Sequence, residues 1–441
     1  MEKKRSNFTS KLGFVLAAAG SAVGLGNIWR FPYLAAKYGG GIFLLVYIIL
    51  AATFGFTLMT TEMAIGRKTG LSVIGAYKKL DKRFAFNGVL SAVIPCIITS
   101  YYCVIGGWVV KFMFGFVTGG RGINDFGGFI GQTWEPMIWF LIFLGVTALV
   151  VFSGVNKGIE KVSEFMMPVL VILILGVAIY VICQPGAGDG LKYYLLPDFS
   201  NFSIKTVIAA MGQMFYSMSL AMGIMITYGS YMKKDINIPT SSAQVAGFDT
   251  GIAFLAGLVI IPAIFVSGST EKLTAGPSLM FIVLPEIFQG MPGGIVIGAL
   301  FFILVFFAAL TSSISLMETM TSVFDDRGNL GRTKATWISI AVCLVIGSLS
   351  SLGYGPLADV TLFGMQFLDF FDYISNNLMM PIAAFFTCIL VGYVIKPETI
   401  IEEIEADGKE FKQKKLFTAV IKYVAPAIIL IIVISSFLVK L

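Results

Sequence analysis

The chain has 441 residues, of which 57% are hydrophobic and only 13% charged, about half the charged share of ordinary soluble domains. Mean hydropathy is +0.88; the formal net charge is +6, and the chain contains no histidine. Long apolar runs point to membrane-spanning helices rather than alternating lipid-facing strands, and the lack of histidine excludes His-based triads, His metal sites and imidazole general-base chemistry. The five cysteines (Cys96, Cys103, Cys183, Cys343, Cys388) all lie in apolar stretches without a C-x-x-C spacing. They read as small buried hydrophobes rather than as a disulfide scaffold or thiolate cluster.

A helix needs roughly 20 apolar residues to cross about 30 Å of hydrocarbon. Eleven stretches qualify, at about 10–37, 41–66, 84–117, 135–153, 162–183, 203–231, 242–267, 293–324, 334–350, 362–394 and 417–440. Arg30 and Pro32 lie in the first, and no small-residue cleavage pattern follows a short apolar core, so it is not expected to be a cleaved signal. Lysine and arginine sort to alternate connections: Lys3, Lys4, Arg5, Lys11, Arg67, Lys68, Lys78, Lys79, Lys82, Arg83, Lys157, Lys161, Lys233, Lys234, Arg327, Arg332 and Lys334 on one side, with Arg121, Lys192 and Lys272 among the few on the other. This asymmetry predicts a multi-pass protein of the plasma or inner membrane, with the N-terminus cytoplasmic and the C-terminus outside. The connector 395–416, with its acidic IEEIEAD and basic KQKK halves, reads as a solvated cytoplasmic segment.

The first stretch places Gly20, Gly24 and Gly26 within seven residues and follows them with Asn27. Glycine costs up to about 1 kcal/mol in a helix interior, and an asparagine side chain competes for backbone hydrogen bonds. Unwinding near Ala22–Gly26 is expected, and irregular backbone at membrane depth survives where it lines a cavity or packs in protein. Close packing of small residues is the competing reading. In the second stretch Glu62 is expected to brace this break. Tyr101 and Tyr102 in the third suit a site or ordinary packing. The sixth reads AAMGQMFYSMSLAMGIMITYGSY, with Gln213, Ser217, Ser219 and Gly223 at mid-span. Interruptions five spans apart suggest an inverted repeat and point to a transporter's site between them. Their half-helix ends favour a carboxylate on one side and cations or an ammonium on the other.

GSAVGLGNIWRFPY followed by Gly39–Gly41, GQMFYSMSL, and FFAALTSSIS in the eighth stretch closely resemble signatures of the neurotransmitter:sodium symporter family. The resemblance runs from Arg5 to the last span. It implies an all-α membrane protein of 11 transmembrane helices with a 5+5 inverted repeat and broken helices 1 and 6, the leucine-transporter-like fold. The single transporter domain 1–441 would comprise repeat one at about 10–183, repeat two at about 203–394 and an appended helix at about 417–440.

The implied function is sodium-coupled import of a neutral hydrophobic or aromatic L-amino acid by alternating access. A first sodium would be held by the Ala22 carbonyl, Asn27, Ser217, the substrate carboxylate and Asp249, which stands where the family has an asparagine. A carboxylate there removes the need for chloride; the alternative for Asp249 is contact with water near the cytoplasmic end of its span. A second sodium would be held by the carbonyls of Gly20, Val23 and Ala308 and the hydroxyls of Thr311 and Ser312.

The substrate carboxylate would meet the Leu25 and Gly26 amides and Tyr102, and its ammonium Ser219. Ile98, Tyr102, Tyr216, Met222, Ser312 and Leu316 would form the side-chain pocket. Gly24, where relatives that carry monoamines have an acid, leaves room for an amino acid's own carboxylate. Arg30 is expected to pair with Asp369 (Asp372 being the runner-up) above the substrate, and Arg5 with Asp326 below it, beside Phe8, Ser230 and Tyr231. A non-transporting amino-acid sensor or a sodium channel on the same scaffold is the competing reading. Enzyme chemistry is not expected, since no lysine accompanies Ser217, Ser219 or Thr311 at membrane depth to form a Ser–Lys dyad. Nothing points to nucleic acid as a partner.

Overall fold

The computed structural model describes residues 7–268 and 279–438, and among these the chain is helical, with only two isolated bridges, Gly40 to Pro197 and Leu362 to Met365. Among the described residues, nine helices are long and apolar enough to cross a membrane: α2 (Gly41–Thr69), α3 (Lys82–Val117), α4 (Trp134–Phe152), α5 (Val155–Ile182), α7 (Ile238–Val266), α8 (Gly294–Gly328), α9 (Arg332–Leu352), α10 (Phe367–Val394) and α11 (Lys414–Ile434). A tenth crossing is broken into α1a (Lys11–Ala22) and α1b (Gly26–Lys37), bent by 52°. Helices α6a (Ile204–Ser217) and α6b (Ile224–Gly229) form another interrupted pair. The expected total of eleven is reached only when this pair is counted as one crossing.

The breaks arise from local sequence. Helix α1a starts at Ser10, whose hydroxyl accepts from the Gly13 N–H, and ends at Val23, which is extended. Between α6a and α6b, Ser219 and Ala221 hold positive φ values of 54° and 62°, a region costly for residues with a Cβ and concentrated at functional sites. Glycine at 223, with φ 76°, then starts α6b. Helix α7 begins earlier than the apolar run. The Asn237 side chain caps the Thr240 N–H, and Pro239 in the first turn brings a φ already suited to a helix start.

Helix α3 is the most enclosed, with 72% of its apolar window buried, whereas α4, α5, α9 and α11 reach 39% each and form the perimeter. The connector between α10 and α11 departs from expectation. It is not simply solvated: its helix Pro397–Ile404 buries Ile400 and Ile404. Arg67, buried at the end of α2, reaches Glu403 Oε1 at 2.8 Å, and Lys234 reaches the same oxygen at 2.6 Å. An amphipathic turn can hide its apolar face while the charges seen in sequence pair with distant partners. Lys414 donates to Glu405 at 2.9 Å, which lowers that partly exposed carboxyl from its usual value.

Candidate functional site

The two breaks meet around one fully buried carboxylate. Asp249, midway along α7, accepts from Asn27 Nδ2 at 2.6 Å and from the Ser217 hydroxyl at 2.6 Å on Oδ1, and from the Tyr47 hydroxyl at 2.8 Å on Oδ2. Asn27 Nδ2 also donates to the Asp249 carbonyl at 3.0 Å, and Asn27 Oδ1 accepts from the Gly24 N–H at 2.9 Å. Three neutral donors compensate a charge that burial alone would make prohibitive. Asn27, Ser217 and Asp249 are thus brought together, and Asp249 lies in the interior rather than against cytoplasmic water. An oxygen set with a single carboxylate suits a monovalent hard cation. Among the described residues no group of three or more acid, cysteine or histidine side chains forms a divalent-metal cluster.

The second cluster lies where α1a meets α8. The Ser312 hydroxyl is 3.4, 3.1 and 3.1 Å from the carbonyl oxygens of Gly20, Ser21 and Val23. Thr311 donates back to its own helix at the Phe307 and Ala308 carbonyls, 3.0 and 3.2 Å away. Gly20 faces Thr311 so closely that a Cβ would stand 3.1 Å from the Thr311 Cβ. All five oxygen-bearing residues expected here, Gly20, Val23, Ala308, Thr311 and Ser312, therefore border one junction.

Between the clusters lies a small cavity. The eleven residues expected to contact substrate (Ala22, Leu25, Gly26, Ile98, Tyr102, Tyr216, Ser217, Ser219, Met222, Ser312 and Leu316) all border it, as do Ser21, Gly24 and Ile224. Its wall holds no ionisable acid or base other than the tyrosine phenols. The Tyr102 hydroxyl accepts from the Leu25 N–H at 3.2 Å, and Ser219 donates to the Ser21 carbonyl at 3.0 Å. A Cβ at Gly24 would lie 2.6 Å from Ser312 Oγ and 2.9 Å from the Tyr102 hydroxyl.

A model of the sodium:neurotransmitter symporter family matches residues 5–122 and 120–440. The chain belongs to this family. It is 34% identical over 443 residues to the sodium-dependent transporter YhdH of Bacillus subtilis (strain 168), covering 98% of this chain and 97% of that one. The crystal structure of MhsT in complex with L-phenylalanine superimposes with a TM-score of 0.90 at 36% identity, covering 98% of this chain and all of MhsT. The sodium- and chloride-dependent taurine transporter of Bos taurus is 27% identical, with 91% of this chain and 73% of the relative covered. The chain is accordingly a multi-pass, sodium-dependent membrane transporter with the leucine-transporter-like fold, and not an enzyme.

The symporter's expected gates are arranged differently from the sequence reading. Among the described residues Arg30 makes no ion pair with Asp369 or Asp372; its guanidinium lies 5.3 Å from the centre of the Tyr216 ring. Asp369 accepts from Tyr354 at 3.2 Å, while Asp372 accepts from Tyr101 at 3.0 Å and Asn376 at 2.6 Å. Both acids have neutral partners nearer than the arginine, which instead stacks on an aromatic face. On the opposite side, Arg5 lies outside the described residues, and Asp326 accepts from the Ser72 N–H at 2.8 Å. Phe8 is buried against Phe14, Tyr228 and Tyr231. Glu62 braces the second break rather than the first, accepting from the Ala221 N–H at 2.7 Å.

Sequence reasoning missed Tyr47, Ser21 and Ile224. Ser21 sits inside the interrupted GSAVG run, where its polarity was a usable signal. Tyr47 lies in IFLLVYIIL with nothing local to separate it from core aromatics.

Proposed function

We propose that the symporter couples two sodium ions to the import of a single neutral, hydrophobic or aromatic L-amino acid, without a requirement for chloride. The observation that carries this reading is the charge-free cavity bounded on one side by the Asp249–Asn27–Ser217 cluster and on the other by the Gly20–Val23–Ser312 junction. A zwitterion in that cavity would turn its carboxylate toward the Leu25 and Gly26 amides, Tyr102 and the first sodium, and its ammonium toward Ser219 and carbonyls at the break. Sharing the first sodium with the substrate carboxylate couples the two binding events directly.

Gly24 is central to substrate class: any side chain there would occupy the space taken by the substrate's main chain. Met222, Ile98, Ile224 and Leu316 offer apolar, adaptable walls, and burying a charged side chain among them would incur several kcal/mol. The phenylalanine bound by MhsT supports an aromatic ligand. Asp249 supplies the fixed negative charge that offsets sodium, which supports chloride independence. The outer gate is assigned to Arg30 over Tyr216, with Asp369 or Asp372 recruited on closure, and the inner gate to Arg5 and Asp326. Spans 1–5 and 6–10 would form the two repeats, the N-terminus cytoplasmic and the C-terminus outside.

The test is uptake of twenty radiolabelled amino acids into proteoliposomes. Uptake of hydrophobic or aromatic substrates should require an inward sodium gradient, fail with K⁺ in place of Na⁺, and survive replacement of chloride by gluconate. Sodium-independent uptake, or conductance without saturable uptake, would overturn the reading.

A further inference from the structure

The start of α1a is held by a carboxylate from another span. Glu160, near the N-terminal end of α5, is only 1% exposed. Its oxygens accept from the Thr9 N–H at 3.1 and 2.9 Å, and Oε1 also accepts from the Thr9 hydroxyl at 2.5 Å and the Ser10 N–H at 3.2 Å. Amide groups at a helix start have no partner within the helix, and a negative charge there also meets the positive end of the helix dipole. Gly13 makes the approach feasible: a Cβ at this position would lie 1.9 Å from Glu160 Oε1. On the other flank, Lys233 donates to the Thr9 carbonyl at 3.0 Å and Phe8 N–H donates to the Tyr231 carbonyl at 3.2 Å. The segment entering α1a is therefore fastened between the start of α5 and the chain just beyond α6b.

Helix α1a is an unbroken rod of 12 residues, about 18 Å long. Its far end carries the Gly20 and Val23 carbonyls that face Ser312. Displacing the Thr9–Ser10 end of such a rod would shift those carbonyls relative to α8. We propose that Glu160 is a positioning residue that latches the cytoplasmic end of α1a, and that withdrawal of Thr9 and Ser10 from its carboxylate is a step in opening the cavity inward. The proposal rests on the alternating-access reading above. Once α1a moves, cytoplasmic water reaches both the carboxylate and the freed N–H groups. The hydrogen bonds are then exchanged for hydration rather than abandoned, which keeps the latch reversible.

The test uses the full chain reconstituted in lipid, as wild type and as Glu160→Gln, Glu160→Ala and Gly13→Ala. Hydrogen–deuterium exchange of the amides of residues 8–16 is followed with and without sodium, alongside the sodium dependence of uptake. In the variants these amides should exchange about tenfold faster or more, the loss expected for a charged acceptor serving several donors. The sodium concentration for half-maximal uptake should rise by a similar factor, while the thermal midpoint stays within about 3 °C of wild type. Sodium should slow the exchange in wild type, because it selects the form with α1a seated against α8. If Glu160→Gln does not fold, Gly13→Ala displaces the carboxylate from the opposite partner and gives the same readout. Exchange of residues 8–16 that is unchanged in the variants, or indifferent to sodium, overturns the latch. Exchange is read without substrate, so sodium-independent uptake by wild type would count against the transport reading instead.

Discussion

Replacing Asp249 by asparagine keeps the side chain's shape and removes the one full charge in the first cluster. In the structure that carboxylate accepts three side-chain hydrogen bonds, from Asn27, Ser217 and Tyr47, and is fully buried. Two opposite unit charges about 4 Å apart at an effective dielectric near 20 attract by about 4 kcal/mol. Part of this is offset because the carboxylate's own burial is relieved, so a net loss of about 3 kcal/mol in sodium affinity is expected, roughly two decades at 1.4 kcal/mol each. An external anion able to reach the cluster would recover part of the loss. The assay is sodium-dependent binding of a radiolabelled aromatic amino acid to purified Asp249→Asn protein, in chloride and in gluconate. Half-saturation should shift to about 100-fold higher sodium in gluconate and return partway in chloride. A variant whose sodium dependence in gluconate lies within about threefold of wild type would refute the argument, since it would mean the charge does not face the ion.

Three further outcomes follow from particular contacts. Gly24→Ala places a methyl 2.6 Å from Ser312 Oγ and 2.9 Å from the Tyr102 hydroxyl; substrate binding should weaken about tenfold or more with little change in thermal stability, checked by equilibrium binding beside a melting curve. Tyr47→Phe removes the donor at 2.8 Å from Asp249 Oδ2; losing a hydrogen bond to a charged group, about 1.5–3 kcal/mol, should raise the sodium requirement for uptake about tenfold. Glu403→Ala leaves Arg67, 4% exposed, without its carboxylate; a loss of about 3–5 kcal/mol in stability should appear as a lower thermal midpoint, while the substrate KM in uptake assays changes less than about twofold because the pair lies away from the cavity.

Much of this molecule is legible in the chain itself. Hydropathy places the crossings to within a few residues for α3, α4 and α10, because an apolar run of sufficient length has few alternatives in a bilayer. The Gly20–Asn27 and Gln213–Gly223 interruptions mark the breaks, since local backbone preference is written in local composition. The family signature carries the cavity residues with it, Ala22 through Leu316, because a motif preserves spacing along each helix. What sequence does not supply is partnership across helices. The family resemblance pairs Arg30 with an acid, yet Tyr354, Tyr101 and Asn376 occupy Asp369 and Asp372. Glu62 turns to Ala221 rather than to the first break. Tyr47 becomes a donor to Asp249 from a run without any polar neighbour. Hydropathy and glycine spacing are one-dimensional and act within a turn or two of helix. Which donor reaches a buried carboxylate depends on how α1, α2, α6 and α7 rotate and slide against one another, a choice made by packing over the whole bundle.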